Sequence, residues 1–183
     1  MPRQVFHFDR PSRFVAGTVG QPGDRTFYLQ AADEAGRVVS VALEKTQVSV
    51  LAERMSELLD EIATRATTVV PPDADVDDLD PLTAPVDEEF RVAAMGLAWD
   101  GDAEAVVVEA VAAGEEPIDE DAILSDSDEG PDALRVTITP AAARSFIARA
   151  RRVISAGRPA CPLCSMPLDP AGHVCPRQNG YRR

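Results

Sequence analysis

The sequence predicts an α+β fold: a mainly antiparallel sheet covered by two amphipathic helices and followed by a small cysteine-rich tail. Short alternating runs occur in pairs joined by turn residues, which is the pattern of β-hairpins. Two longer runs repeat apolar residues every three or four positions, as a helix with one buried face does. All three cysteines and one of the two histidines fall within residues 161–175.

The composition is that of one globular domain with a small appendage. The chain has 183 residues, of which 45% are hydrophobic, so a substantial core can form. No apolar run is long enough for a membrane span, and no signal peptide is recognisable, so we expect a cytoplasmic protein without membrane contact. In a reducing compartment, three cysteines argue against a disulfide framework and favour metal ligation.

The formal net charge of -13 is unevenly distributed. Residues 140–183 contain eight arginines and one acid, whereas residues 1–139 contain 10 basic and 30 acidic side chains. Such a basic end could meet nucleic acid, an acidic protein surface or the chain's own acidic loops. The acidic body would repel a phosphate backbone, so nucleic acid could be contacted only locally.

The first 66 residues predict strands followed by one helix. Alternation on either side of Pro11 predicts two short strands joined by a tight connection. The glycine-rich residues 17–23 lead into a strand rather than a helix, so we expect a plain turn there instead of a phosphate-binding loop. Residues 27–32 and 37–43 predict a hairpin, and Thr46 is the expected N-cap of the helix. The predicted buried face of this helix consists of Val48, Leu51, Ala52, Met55, Leu58, Leu59 and Ile62.

Residues 67–87 predict a solvated linker. Prolines alternate there with aspartates, which excludes a regular helix and leaves little to bury. The glycine and the terminal glutamate that a calcium loop requires are missing.

The second half predicts the same kinds of element. Residues 90–99 and 103–111 form a hairpin signal, and residues 134–138 alternate as a strand after the acidic insertion 114–132. Thr139 and Pro140 then begin a helix. Its predicted buried face consists of Ala143, Phe146, Ile147, Ala150, Val153 and Ile154, and we expect its arginines to point away from the core.

An offset of 95 residues superimposes the apolar pattern of the first strand and helix on that of the second, which suggests an internal hairpin-helix duplication. We therefore expect an α+β domain over residues 1–157. Its two halves, about 1–66 and 88–157, would be joined by the linker 67–87, with a basic, zinc-knuckle-like tail over residues 158–183.

The tail has the residue types and spacing of a zinc site. Cys161 and Cys164 are separated by two residues, as in a metal knuckle, and His173 and Cys175 can supply the second pair of ligands. A Cys3His set leaves no open position on the metal, which predicts a structural zinc rather than a catalytic one. Pro167, Pro170 and Gly172 are turn formers between the pairs. Free thiols and redox chemistry remain the alternatives, although the prolines after Cys164 do not suit a redox helix.

The function that fits best is a non-enzymatic adaptor or regulator that engages a protein partner. No set of residues typical of catalysis or nucleotide binding is found. The candidate partner-binding residues are Arg177, Tyr181, Arg182, Arg183, Arg144, Arg151 and Arg152. One alternative is a nucleic-acid-binding module, because arginines around an aromatic residue can grip single strands. A second alternative is an enzyme with a pocket near residues 17–23.

Two stretches resemble the actinobacterial DUF3090 family. They are residues 14–30 (FVAGTVGQPGDRTFYLQ), and the tail from CPLC at 161–164 through GHVCPR at 172–177 to NGYRR at 179–183. The likeness covers nearly the whole chain and implies an uncharacterised family that supplies no catalytic residues. Interaction with ParA-type chromosome-partitioning ATPases has been proposed within it, so a partner of that type is implied. Ser165 departs from the glycine that often completes a zinc knuckle.

Overall fold

The computed structural model describes residues 3–65, 68–73, 78–114, 123–125, 127, 129–157, 160–166, 168 and 173–177. In these residues seven strands form one sheet, and two helices pack on it, so the predicted α+β class is confirmed. The strands are β1 (Val5–Asp9), β2 (Arg13–Gln21), β3 (Asp24–Ala32), β4 (Val38–Leu43), β5 (Glu88–Asp100), β6 (Ala105–Ala112) and β7 (Ala133–Ile138). The helices are α1 (Lys45–Arg65) and α2 (Pro140–Ser155), and neither is long and apolar enough to cross a membrane.

The sheet is mainly antiparallel and has the strand order β1-β7-β6-β5-β4-β3-β2. Only β1 with β7 and β4 with β5 pair in parallel. The predicted first two strands exist, yet they lie at opposite ends of this order although three residues join them. Because so short a connection cannot cross a flat seven-stranded sheet, the sheet curls until its ends meet. Arg37, before β4, accordingly donates to the carbonyl of His7 in β1 and lies 4.2 Å over the Phe8 ring.

The two halves repeat one topology. The 95-residue offset maps the bounds of β4 onto those of β7, and it maps the first residue of α1 onto that of α2. The long strand β5 pairs in parallel with β4 near its start and antiparallel with β6 further on. In the other half, two separate strands make the equivalent pairings: β1 pairs in parallel with β7, and β2 pairs antiparallel with β3.

One face of the curled sheet packs against both helices to form the core. The Phe14 and Phe146 rings stack at 4.8 Å between β2 and α2, and Leu29, Met55 and Leu59 are fully buried nearby. The predicted faces of the helices are confirmed, with Leu58, Val153 and Ile154 only partly buried at their margins. Helix α2 begins at Pro140 as predicted, and Thr139 caps it, since its side chain accepts a hydrogen bond from the Ala142 N–H.

Two predicted boundaries are wrong. Helix α1 begins at Lys45 rather than after Thr46, two residues earlier than predicted, because the Gln47 side chain accepts a hydrogen bond from the backbone N–H of Glu44 and caps the helix there. The predicted turn at 17–23 is shorter than expected, since β2 continues to Gln21 and turns only at Pro22 and Gly23. Gly17 suits this position of the strand because Leu82 packs directly over it, and a Cβ there would lie 2.5 Å from the Leu82 side chain.

The prediction that the arginines of α2 point away from the core is wrong for Arg144 and Arg149, which are each 7% exposed. Arg149 donates to the carbonyls of Ala16, Asp78 and Asp80 and to the Asp78 carboxylate. Residues 78–83 are therefore docked against β2 and α2 rather than solvated as predicted. Arg149 holds this stretch through its backbone and the Asp78 carboxylate, and Leu82 is buried, while Leu79, Asp80, Pro81 and Thr83 stay exposed.

Candidate metal centre

The tail begins where α2 ends. The last turn of the helix is held by Arg25 in β3, which donates to the carbonyls of Val153 and Ala156. Beyond it, the backbone from Cys161 folds back on itself: the Ser165 N–H donates to the Cys161 carbonyl at 2.8 Å, and the Cys161 N–H donates to the Met166 carbonyl at 2.7 Å. This loop is the tight knuckle that the Cys-x-x-Cys spacing predicts.

The loop brings the predicted ligands together. One ligand atom from each of Cys161, Cys164, His173 and Cys175 lies within 4.8 Å of all the others. The Cys161 and Cys175 sulfurs are 3.9 Å apart, and the Cys164 sulfur is 3.2 Å from Nε2 of His173. Cys161 and Cys175 are buried, whereas Cys164 and His173 are half-buried. Of the predicted turn formers, Pro167, Pro170 and Gly172 lie outside the described residues.

This donor set fits a metal ion. The thiols are free, and 3.9 Å is far longer than a disulfide bond of about 2.05 Å. A tetrahedral ion with metal–sulfur bonds of about 2.3 Å separates its thiolates by about 3.8 Å, which is close to the observed spacing. The four residues therefore form a site that could bind a metal through three sulfurs and one nitrogen.

Two thiols of the cluster have shifted pKa values. The pKa of Cys161 is lowered to about 6, because the backbone N–H groups of Cys164 and Leu163 favour its thiolate. The pKa of Cys164 is raised: the Met166 N–H favours its thiolate, but burial and the neighbouring thiols of Cys161 and Cys175 outweigh that effect. A thiolate is thus favoured at Cys161, whereas the thiolate of Cys164 would be favoured by a bound cation.

The candidate partner-binding arginines fall into different environments. Arg151, Arg152 and Arg177 are exposed. Arg144 is occupied by the protein's own groups, since it pairs with Asp60 at 2.6 Å and Asp73 at 3.2 Å. Tyr181, Arg182 and Arg183 lie outside the described residues.

The alternative hypothesis was an enzyme pocket near residues 17–23, and the structure has a cavity of about 450 Å³ at the end of that stretch. Only Gly23 from that stretch lines it, because the preceding glycines belong to β2. Its described lining contains Arg25, Lys45 and Ser155, and among these described residues there is no carboxylate, histidine or cysteine that could serve as a general base at neutral pH.

Sequence reasoning overlooked two charged clusters. One surrounds Glu109, which is fully buried and pairs with Arg3 at 2.6 Å and Arg135 at 2.5 Å. In the sequence, the indication of this cluster is a single acid within the otherwise apolar strand β6. The other is the pair Arg25 and Lys45, whose only signal was that Lys45 is the single lysine of the chain.

Comparison with known proteins adds one match. The model of a family described as a protein of unknown function, DUF3090, matches residues 6–175. No curated protein and no solved structure matches the chain.

Proposed function

The chain belongs to the DUF3090 family, and from that premise we propose that it is a non-enzymatic adaptor whose tail is fixed by a structural zinc ion and engages a protein partner. The observation that carries this proposal is the closed Cys3His cluster. It would fold a short segment that has no core of its own, and it would hold the surface of that segment in one shape.

Zinc is the metal that this donor set suits best. Three thiolates and an imidazole in a tetrahedron are a common structural zinc site, whereas calcium and magnesium prefer oxygen ligands. Four protein ligands leave no position for water or substrate, so the ion would stabilise the tail rather than catalyse a reaction.

The outer surface of the tail supports a protein partner. Leu163 and Met166 are each about half exposed, and Val174 is 80% exposed, although all three lie beside the metal ligands. Exposed apolar residues near a folded site are typical of protein interaction surfaces, and Arg177, two residues after Cys175, would favour an acidic group on the partner. The family resemblance makes a ParA-type ATPase the first partner to test.

Metal content tests the zinc site. Protein purified without added metal should contain about one zinc ion per chain, and His173→Ala should lose most of it. His7→Ala is the matched control, because the side chain of His7 is exposed on β1, outside the cluster. A wild-type content far below one zinc ion per chain would overturn the site.

Direct binding tests the adaptor role. Val174→Asp should abolish binding to a purified ParA-type ATPase while retaining zinc. Val19→Asp, at a residue that is 47% exposed on β2 rather than on the tail, should not. Equal binding by both variants would remove the tail from the interface. If the wild-type protein instead shifts labelled single-stranded nucleic acid at about 0.15 M salt, the nucleic-acid alternative takes precedence.

A further inference from the structure

The described residues that line the cavity at the end of α2 include two cations and no acid. It lies where β3, the start of α1 and the end of α2 meet, and its volume is about 450 Å³. Arg25 and Lys45 contribute the charged groups, and Phe27 and Ile154 contribute apolar walls. In a chain with a net charge of -13, an acid-free cavity with two positive charges is unexpected.

Both cations converge on one point. A Cβ placed on Gly157 would lie 3.7 Å from Nζ of Lys45 and 3.9 Å from Nη2 of Arg25. The third atom near that point is the Ile154 carbonyl oxygen at 3.8 Å, so a group bound beside Gly157 would meet two cations and one acceptor. Both nitrogens lie within 4 Å of that point, so an anion placed there would be attracted by both positive charges.

The protein's own groups offset this charge only in part. Arg25 is held in place by the carbonyls of Val153 and Ala156, at the end of α2 that carries about half a negative charge. The side chain of Lys45 has no hydrogen bond or ion pair to any described residue, and the adjacent Glu44 pairs with Arg91 at 2.8 Å. A guanidinium offers five N–H donors, and Arg25 uses two of them in the described contacts.

We infer that this cavity binds the phosphate group of a small phosphorylated molecule between Lys45 and Arg25, beside Gly157. A phosphate monoester carries nearly two negative charges at neutral pH, which matches the two cations. The cavity is larger than a phosphate, and the Phe27 and Ile154 walls can contact the organic part of the ligand. The site goes beyond the adaptor role and uses none of the zinc ligands.

The single lysine provides a direct probe. With isotope-labelled lysine, the full-length protein gives one lysine side-chain NMR signal, which belongs to Lys45. Titration with phenyl phosphate should shift that signal saturably, with a Kd on the order of 1 mM or tighter. Inorganic phosphate should bind more weakly, because it does not use the apolar walls. Equal affinity would assign the site to free phosphate instead, and no saturable shift with either anion would overturn the inference.

Three variants separate the site from general charge attraction, with binding followed by calorimetry. Lys45→Gln should weaken phenyl phosphate binding about tenfold, since it removes one charged donor. Arg152→Gln removes the same charge from the exposed side of α2 and should change affinity little. Gly157→Ala retains both cations but places a methyl group between them, without a close clash, and should also weaken binding. Equal effects of Lys45→Gln and Arg152→Gln would show non-specific attraction only and would sink the proposal.

Discussion

Glu109 is the only fully buried carboxylate among the described residues. Its two oxygens accept from Arg3 and Arg135, and one of them also accepts from the Leu124 N–H at 3.3 Å. Arg3 and Arg135 in turn donate to the Ser125 carbonyl. The charged cluster therefore attaches the middle of the acidic insertion, at Leu124 and Ser125, to the outer face of the sheet, opposite the core.

We predict that Glu109→Gln destabilises the protein by about 3 kcal/mol, because the amide cannot pair with both buried guanidinium groups. The free energy of unfolding, measured by denaturant titration, checks this. Glu57→Gln, which breaks an exposed pair with Arg54, should cost no more than about 0.5 kcal/mol. If the two variants behaved alike, the buried carboxylate would not be what attaches the insertion.

Ser165 occupies the position where a glycine was expected from the knuckle pattern, and its φ of 61° is in the left-handed region. A side chain in that conformation costs about 1 kcal/mol, part of which glycine would recover. We predict that Ser165→Gly raises zinc affinity about two- to fivefold, measured by competition with a chelator. Ser165→Ala retains the Cβ and should bind zinc as the wild type does. A gain in Ser165→Ala as large as in Ser165→Gly would refute backbone strain as the cause.

At the scale of elements, the docked part of the linker is organised by Asp78. Its carboxylate accepts from Arg13 at 2.6 and 3.0 Å and from Arg149 at 2.8 Å, which joins β2, the linker and α2. The pKa of Asp78 lies below its usual value, because of the Arg13 hydrogen bond and then the Arg149 charge, which together outweigh burial.

We predict that Asp78→Asn loosens the linker, since the amide cannot accept from both arginines. The free energy of local opening of the linker, measured by amide hydrogen exchange, should fall by about 1.5–3 kcal/mol. The loss is smaller to the extent that solvent screens the half-exposed pair. Asp80→Asn is the matched control, because Asp80 contributes mainly its backbone carbonyl. A comparable loss in Asp80→Asn would point to general charge rather than to the Asp78 contacts.

The same carboxyl sets a pH dependence. Because its folded pKa is below the unfolded one of about 3.9, its stabilisation is complete above that value and is lost as pH falls through the folded pKa. Linker protection should therefore be constant from about pH 5 to 8 and decline only below about pH 4. A decline near pH 6 would implicate another group.

The elements themselves could be predicted because each has a periodic apolar face. Strand β7 and the buried faces of α1 and α2 follow directly from alternation and from helical spacing. The docked linker could not be predicted in this way. Arg149 binds it mainly through carbonyls, such as those of Ala16 and Asp80, and a backbone carbonyl has no sequence signature.

At the scale of the whole molecule, the two halves hold their outer segments with equivalent residues. Gln30 pairs with Ser40 across β3 and β4, as Glu109 pairs with Arg135 across β6 and β7, and the 95-residue offset maps Ser40 onto Arg135. The Gln30 side chain bonds both the N–H and the carbonyl of Thr83 in the linker. One half thus uses a neutral pair and the other a charged pair to attach a loop to the outer face.

The sequence pattern could not predict the order of the strands, but it could predict the metal ligands. Val5 in β1 lies opposite Ala133, a contact between distant segments that alternation alone does not specify. The Cys3His set was predictable, because coordination chemistry demands particular residue types at short spacings. The cavity of Arg25 and Lys45 was not, because it is assembled from the ends of three elements that only the folded chain brings together.

The tail and the sheet should unfold separately when the metal is removed. The core cluster consists of side chains between Phe8 and Ala150, with partly buried neighbours up to Ile154. The buried cysteines Cys161 and Cys175 are not part of it. In segments this short, metal binding and folding are coupled and contribute about 10–16 kcal/mol. A chelator should therefore unfold the tail and leave the sheet intact.

Two signals distinguish the regions. Trp99 in β5 is the only tryptophan and packs against the core, so its fluorescence reports on the domain. The ring protons of His173 report on the tail. We predict that chelation collapses the His173 signals to unfolded positions, changes Trp99 fluorescence little, and is reversed by added zinc. If Trp99 emission instead shifted to that of the denatured chain, the metal would be holding the whole fold together, and the tail would not be a separate unit.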